Sequence, residues 1–196
     1  LCSGKKKFVT EPVYADGKWD SNDSAIFIES PGYYVIEINN NDIITNIGTI
    51  CFWYRPDYSY TEINEDKYLL KCNNICQLFY ASGTHTFTFG IYNGSNYTDI
   101  SVSGTLHTFV SGTWLHIAAS YDNTDGIYLY IDGLLENSLK TIWTQQSIVP
   151  NYISIGSISG SATNSCRGAI DDFRWFQQKI NASYIKEIKK SNFSYD

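Results

Sequence analysis

With 196 residues and a mass of 22.2 kDa, the chain is long enough to bury one sizeable core and short for two full domains. A formal net charge of -6 and a pI of about 5.0 give no basic field for nucleic acid, since the only lysine cluster is Lys5 to Lys7. No apolar run approaches the roughly 20 residues of a membrane span, which excludes helical membrane insertion. Sixteen Tyr, ten Phe and five Trp among many Ile, Val, Thr and Ser, with no Met, favour strands over helices.

Alternation and turn residues divide the chain into short strands. Ala25 to Glu29 and Tyr33 to Ile38 flank a Ser30-Pro31-Gly32 turn, and Ile47 to Tyr54 alternates until Pro56. Tyr68 to Lys71 and Ile75 to Ala81 surround Asn73-Asn74, while His85 to Tyr92 and Tyr97 to Ser103 surround Asn93-Gly94, so this stretch reads as a meander. Trp114 to Tyr121 and Ile127 to Ile131 form a hairpin across Asp122 to Gly126, closed by Asp132-Gly133. Tyr152 to Gly156 and Gly168 to Phe176 complete the strands, and Ile180, Tyr184, Ile185 and Ile188 then recur at helical spacing. The expected fold is all-β, a two-sheet antiparallel jelly-roll sandwich with one short C-terminal helix. Residues 57–67 and 157–165 read as surface loops.

The absence of Met from a chain starting at Leu1 is consistent with removal of a signal peptide. Five cysteines outside any C-x-x-C pair point to an oxidising, extracellular setting.

The segment GTWLHIAASYDNTDGIYLYIDG, residues 112–133, resembles the most recognisable hairpin of laminin G-like and pentraxin-like domains of the concanavalin A-like superfamily. The ending GAIDDFRWFQQKINASYIKEIKK resembles the strand and helix that close that sandwich, and DGKWDSNDSAIFIESPGYYVIEI and GTICFWYRPD are similar to its opening strands. The resemblance covers about Asp16 to Lys190, leaving an N-terminal arm (1–15) and a tail (191–196). Long-form members carry an extra strand before this point. Its sheet position is therefore empty, filled by the arm, or supplied by another chain.

The resemblance implies calcium, with Glu29, Asp171 and Asp172 as candidate ligands near Asp20 to Asp23. Glu29, Ser30 and Tyr33 depart from the family pattern at positions that would support the ion. Ile170 and Phe173 break period two, which predicts a bulge; Asp171 and Asp172 there could instead accept backbone N–H bonds or pair with Arg174. Cys72 and Cys76 flank a tight turn and form the expected disulfide. Cys51 matches a pentraxin strand cysteine whose partner position falls near Ala118; Cys166 could pair with Cys2 or Cys51, and Cys2 could join another chain. His116 reads as a packed histidine.

A sugar site requires aromatic faces beside hydrogen-bonding groups. Tyr58, Tyr60, Tyr92, Tyr97 and Trp143, in or near loops, are the candidates for it. Asn22, Asn93, Asn96, Asn181 and Asn192 are N-x-[ST] acceptors. A jelly-roll glycosidase would place paired carboxylates on one strand face, whereas Glu62, Glu65 and Asp66 fall in a loop. The expectation is a secreted, non-catalytic module binding carbohydrate or extracellular protein. The alternative is a self-associating subunit of a fibre or coat, assembled by strand addition of the arm.

Overall fold

The computed structural model describes residues 6–8, 13–19, 24–28, 34–37, 46–105, 109–144, 152–158 and 164–191, with only the backbone of 6–8, 24, 37 and 60. Two seven-stranded antiparallel sheets form a sandwich. Sheet A runs, in spatial order, β1 (Lys6–Phe8), β4 (Tyr34–Glu37), β13 (Tyr152–Ile155), β6 (Lys67–Cys72), β7 (Cys76–Ala81), β8 (Thr86–Tyr92) and β9 (Tyr97–Ser103). Sheet B runs β12 (Leu134–Leu139), β11 (Gly126–Ile131), β10 (Leu115–Asp122), β5 (Ile47–Pro56), β14 (Gly168–Phe176), β3 (Ser24–Ile28) and β2 (Val13–Asp16). The jelly-roll expectation is met, and α1 (Ala182–Lys190) is the helix foreseen from the isoleucine spacing.

Period-two alternation aims one set of side chains from each sheet into a shared core. Phe52 and Tyr54 of β5, Leu78 and Tyr80 of β7, Phe87 and Phe89 of β8 and Leu129 of β11 are all buried there. Phe109 stacks on Tyr80 at 4.7 Å and meets Phe87 edge-on at 5.2 Å, tying the loop before β10 to sheet A.

The turns follow from residues that tolerate left-handed backbone. Asn74 (φ 59) turns β6 into β7, and Asp132 (φ 52) with Gly133 (φ 79) turns β11 into β12. β12 was not legible beforehand, because LLENSL lacks β-branched residues and lies at an edge with little burial.

Helix α1 covers the outer face of sheet B. Ile180, Ile185 and Ile188 bury Cys51, Ala118 and Tyr130 in a second cluster. Asn181 caps the helix by accepting the Tyr184 N–H at 2.9 Å. Thr49 fixes the approach, since its hydroxyl donates to the Gln178 carbonyl and accepts from the Ile180 N–H, both at 2.9 Å.

The described parts of the arm, residues 6–8 and 13–15, lie in edge strands of the two sheets. β1 pairs with β4 and β2 with β3, so these segments are already spent within the molecule.

Candidate functional site

Helix α1 leaves the outer face of sheet A as the broad sheet surface on which no described helix or strand packs. Lys71 of β6 stands opposite Gln77 of β7, Gln77 opposite Gly90 of β8, and Gly90 opposite Asp99 of β9. Their neighbours Leu70, Leu78, Phe89 and Ile100 belong to the core, so this row points outward. It crosses three strand spacings, about 14 Å at roughly 4.8 Å each.

The row is a connected polar strip. Lys71 Nζ donates to Gln77 Oε1 at 2.5 Å, and the Gln77 amide is near enough to the Asp99 carboxylate to favour its charged form. Gly90 makes this possible, because any Cβ at that position would collide with Asp99 Oδ1. The glycine is needed for the close approach of a side chain rather than for backbone freedom.

Aromatic rings frame the strip. On one side Tyr68 and Phe79, paired across β6 and β7, stack at 4.9 Å. On the other, Tyr92 and Tyr97 meet at 5.4 Å. Lys71 Nζ stands 4.1 Å from the Tyr97 ring centroid and 5.8 Å from that of Tyr68, a cation held between two π faces. Partial burial moves the charged groups towards neutrality: desolvation lowers Lys71, raises Asp99, and pushes Tyr97 up to about 12.

Of the predicted sugar contacts, Tyr92 and Tyr97 therefore share a face. Tyr58 does not join them: it is 5% exposed, its hydroxyl lies 3.0 Å from that of Tyr54, and burial drives its pKa well up. Trp143 is likewise buried; its carbonyl accepts from Asn123 Nδ2 at 3.3 Å, so the loop position concealed a packing role. Tyr60 lies in a 3-10 turn, and its side chain is outside the described residues.

Above Tyr58 a cavity of about 210 Å³ is lined by Asp57, Glu62, Lys67 and Arg167. Its charges are committed locally: Arg167 pairs with Asp57 at 3.1 Å, Lys67 with Glu65 at 2.6 Å, and Glu62 accepts the Ser59 N–H at 2.7 Å.

The predicted bulge is present, as a register shift in β14 between Asp171 and Arg174. Asp171 accepts the backbone N–H of Lys18 at 2.8 Å and of Asp172 at 2.7 Å, while Asp172 forms a two-pronged pair with Arg174. Glu29 and Asp20 to Asp23 lie outside the described residues, and no group of three or more His, Cys, Asp or Glu able to hold a metal occurs among the described ones.

Cys72 and Cys76 do face each other in register at the hairpin end. The expected bridge is not formed: both are thiols in the structure, and Cys72 Sγ lies 3.9 Å from the Tyr152 carbonyl it donates to. Directly opposed strand residues hold their Cβ atoms farther apart than most disulfides allow. Cys51 pairs in register with Ala118, as the resemblance implied. It sits under α1, whereas Cys166 sits in the inter-sheet core, so a Cys51–Cys166 bond is excluded. Cys2 is outside the described residues.

His116 is packed, 1% exposed and edge-on to Trp53 at 5.2 Å. Among the acceptor asparagines, Asn93, Asn96 and Asn181 are exposed, and Asn22 and Asn192 are not described. Sequence reasoning passed over Lys71, Gln77, Gly90 and Asp99. Their signal was present as the polar half of the meander's alternation, which marks an outward face without saying that its side chains converge.

Comparison with known proteins adds to this picture. The laminin G type family model described as Concanavalin A-like lectin/glucanases superfamily matches residues 30–186. A search of curated protein sequences found no match. Among solved structures, the fold is similar to the receptor binding domain of botulinum neurotoxin C/D mosaic serotype, with 16% identity, a TM-score of 0.76, and coverage of 95% of this chain and 46% of that one. It is also similar to the binding domain of Paraclostridial Mosquitocidal Protein 1, with 16% identity, a TM-score of 0.75, and coverage of 95% and 47%. A third neighbour is the botulinum neurotoxin serotype D ligand binding domain in complex with N-acetylneuraminic acid, with 16% identity, a TM-score of 0.73, and coverage of 95% and 46%. The chain thus spans less than half the length of these neighbours.

Proposed function

Since the chain belongs to the concanavalin A-like lectin/glucanase superfamily, we propose that it is a non-catalytic recognition module that binds carbohydrate on extracellular surfaces through the outer face of sheet A. The observation that carries this reading is the Lys71–Gln77–Asp99 strip set between the Tyr68–Phe79 and Tyr92–Tyr97 ring pairs. A pyranose has apolar faces that rest on rings and a hydroxyl rim that needs both donors and acceptors. The strip offers an ammonium and a carboxylate in one row, with the buried Gln77 amide between them.

The strip carries one carboxylate, Asp99, whereas retaining glycoside hydrolysis uses two about 5 Å apart. Recognition by neighbours supports the reading at the level of fold: one is a ligand binding domain in complex with a sugar. The contacts available are hydrogen bonds and ring faces, so binding is expected to survive EDTA.

The test is a glycan array probed with the wild-type chain, Tyr97→Ala and Arg167→Ala, the last altering the separate rim cavity. Signals that vanish in Tyr97→Ala and persist in Arg167→Ala support the reading. Signals indifferent to Tyr97, or lost only in Arg167→Ala, would move the site elsewhere, and an array without signal for the folded wild type would overturn it.

A further inference from the structure

We infer that the strip selects an uncharged saccharide over an acidic one, a deduction that rests on the sugar-binding reading above. The only carboxylate in the row is Asp99, which projects over the bare Gly90 and is exposed. The Asp99 side chain fills the space over Gly90, so a sugar lying on the strip would rest directly against that carboxylate. Sugar hydroxyls would donate to it, and one carboxylate can accept from two neighbouring hydroxyls. A sugar acid would instead bring a second negative charge beside it, in a place where partial burial already works against charge.

Lys71 does not reverse this preference, because its ammonium is already engaged. It donates to Gln77 Oε1 at 2.5 Å and lies over the rings of Tyr97 and Tyr68 at 4.1 and 5.8 Å. The Lys71 charge also already acts on Asp99, each favouring the other's charged form, so an acidic ligand would compete with Asp99 for it. A neutral ligand can use a remaining Nζ–H where it stands. The chain's formal charge of -6 acts in the same direction at long range. Across the strip the ring pairs flank its two edges, so the ligand lies along the row with its hydroxyl rim on Lys71 and Asp99 and its faces towards Tyr68 and Tyr97.

The experiment is isothermal titration of the folded chain with uncharged di- to tetrasaccharides of glucose, galactose and N-acetylglucosamine. The same chains bearing a terminal N-acetylneuraminic or glucuronic acid are titrated in parallel, and both sets are repeated on Asp99→Asn and Tyr97→Ala. The expected result is at least about tenfold tighter binding of the uncharged chains, a preference that shrinks in Asp99→Asn, and loss of both in Tyr97→Ala. Equal or tighter binding of the acidic chains with continued dependence on Tyr97 would overturn the selectivity while leaving the binding face intact. A preference for uncharged chains unchanged by Asp99→Asn would overturn the role given to Asp99. Binding of either class that ignores Tyr97 would overturn the binding face, and the inference with it. Circular dichroism of each variant confirms that the fold is retained.

Discussion

Lys71 and Tyr97 lie on strands separated by two others, yet the Lys71 ammonium stands 4.1 Å from the centre of the Tyr97 ring. Two side chains meet over such a span only by lying along the sheet rather than standing up from it. The floor between them must therefore be low, and Gly90, with Gln77 drawn into the polar strip, provides that floor. The face is built from the polar half of a meander whose apolar half is the core, so the same alternation that folds sheet A also assembles the site.

Gly90→Ala tests the floor. The new methyl group collides with Asp99 Oδ1 and forces the carboxylate off the strip. The backbone itself gains by roughly 0.5–1 kcal/mol from replacing a strand glycine. Ligand affinity is expected to fall by about tenfold or more while the melting temperature changes little. An unchanged dissociation constant would show that Asp99 is not held where the strip requires it.

The pH dependence of stability is expected to report His116. Its burial lowers its pKa from 6.5 to about 4; Asp132 pulls the other way, and Lys189 and Arg174 add to the lowering. The folded state favours the neutral ring, so the stabilisation is complete above pH 6.5. Between pH 6.5 and 4 the unfolded chain takes up a proton that the folded chain refuses, and stability falls as pH falls. Below about 4 both forms are protonated and this contribution flattens. The loss across the window is about 3 kcal/mol, at 1.36 kcal/mol per pKa unit. Urea unfolding from pH 4 to 7 checks it: His116→Leu should remove much of the slope, and an equal slope in that variant would contradict the assignment.

Removing the cap of α1 is expected to loosen the cover on sheet B. Asn181 Oδ1 accepts the Tyr184 N–H at 2.9 Å, and Asn181→Ala leaves that donor without its partner, at a cost of about 1 kcal/mol. Asn181→Asp keeps the acceptor and should stay near wild type in thermal unfolding. Equal loss in both variants would indicate that the side chain matters for some other reason.

The described cysteines are expected to resist thiol reagents in the folded state. Cys51, Cys72, Cys76 and Cys166 are buried, and desolvation pushes Cys51 up to about 12 and Cys76 well above its ordinary value. Thiolate, the reactive form, is therefore scarce. Iodoacetamide followed by peptide mass mapping should modify these four only after denaturation. Rapid labelling of Cys76 in the native chain would contradict its burial.

Much of the fold was legible because period-two patterns and turn residues act locally. Tyr97 to Ser103 and Gly168 to Phe176 are strands with the limits their alternation implied, and the bulge at Asp171 followed from one break in that alternation. The site was less legible, since convergence across strands depends on register. Nothing near Lys71 announces that Asp99 shares its row, because the two are linked only through Gln77 and Gly90. Tyr58 and Trp143 show the opposite failure: polar flanking sequence suggested exposed rings, but tertiary packing buried both.

The most direct test of the binding face is an amide chemical-shift titration of the isotope-labelled chain with the uncharged oligosaccharide that binds best. The account predicts saturable shifts concentrated at Lys71, Gln77, Gly90, Tyr97 and Asp99, with residues under α1 such as Ala118 and Tyr130 unmoved. Shifts centred instead on the rim around Asp57, Glu62 and Arg167, with sheet A silent, would contradict it.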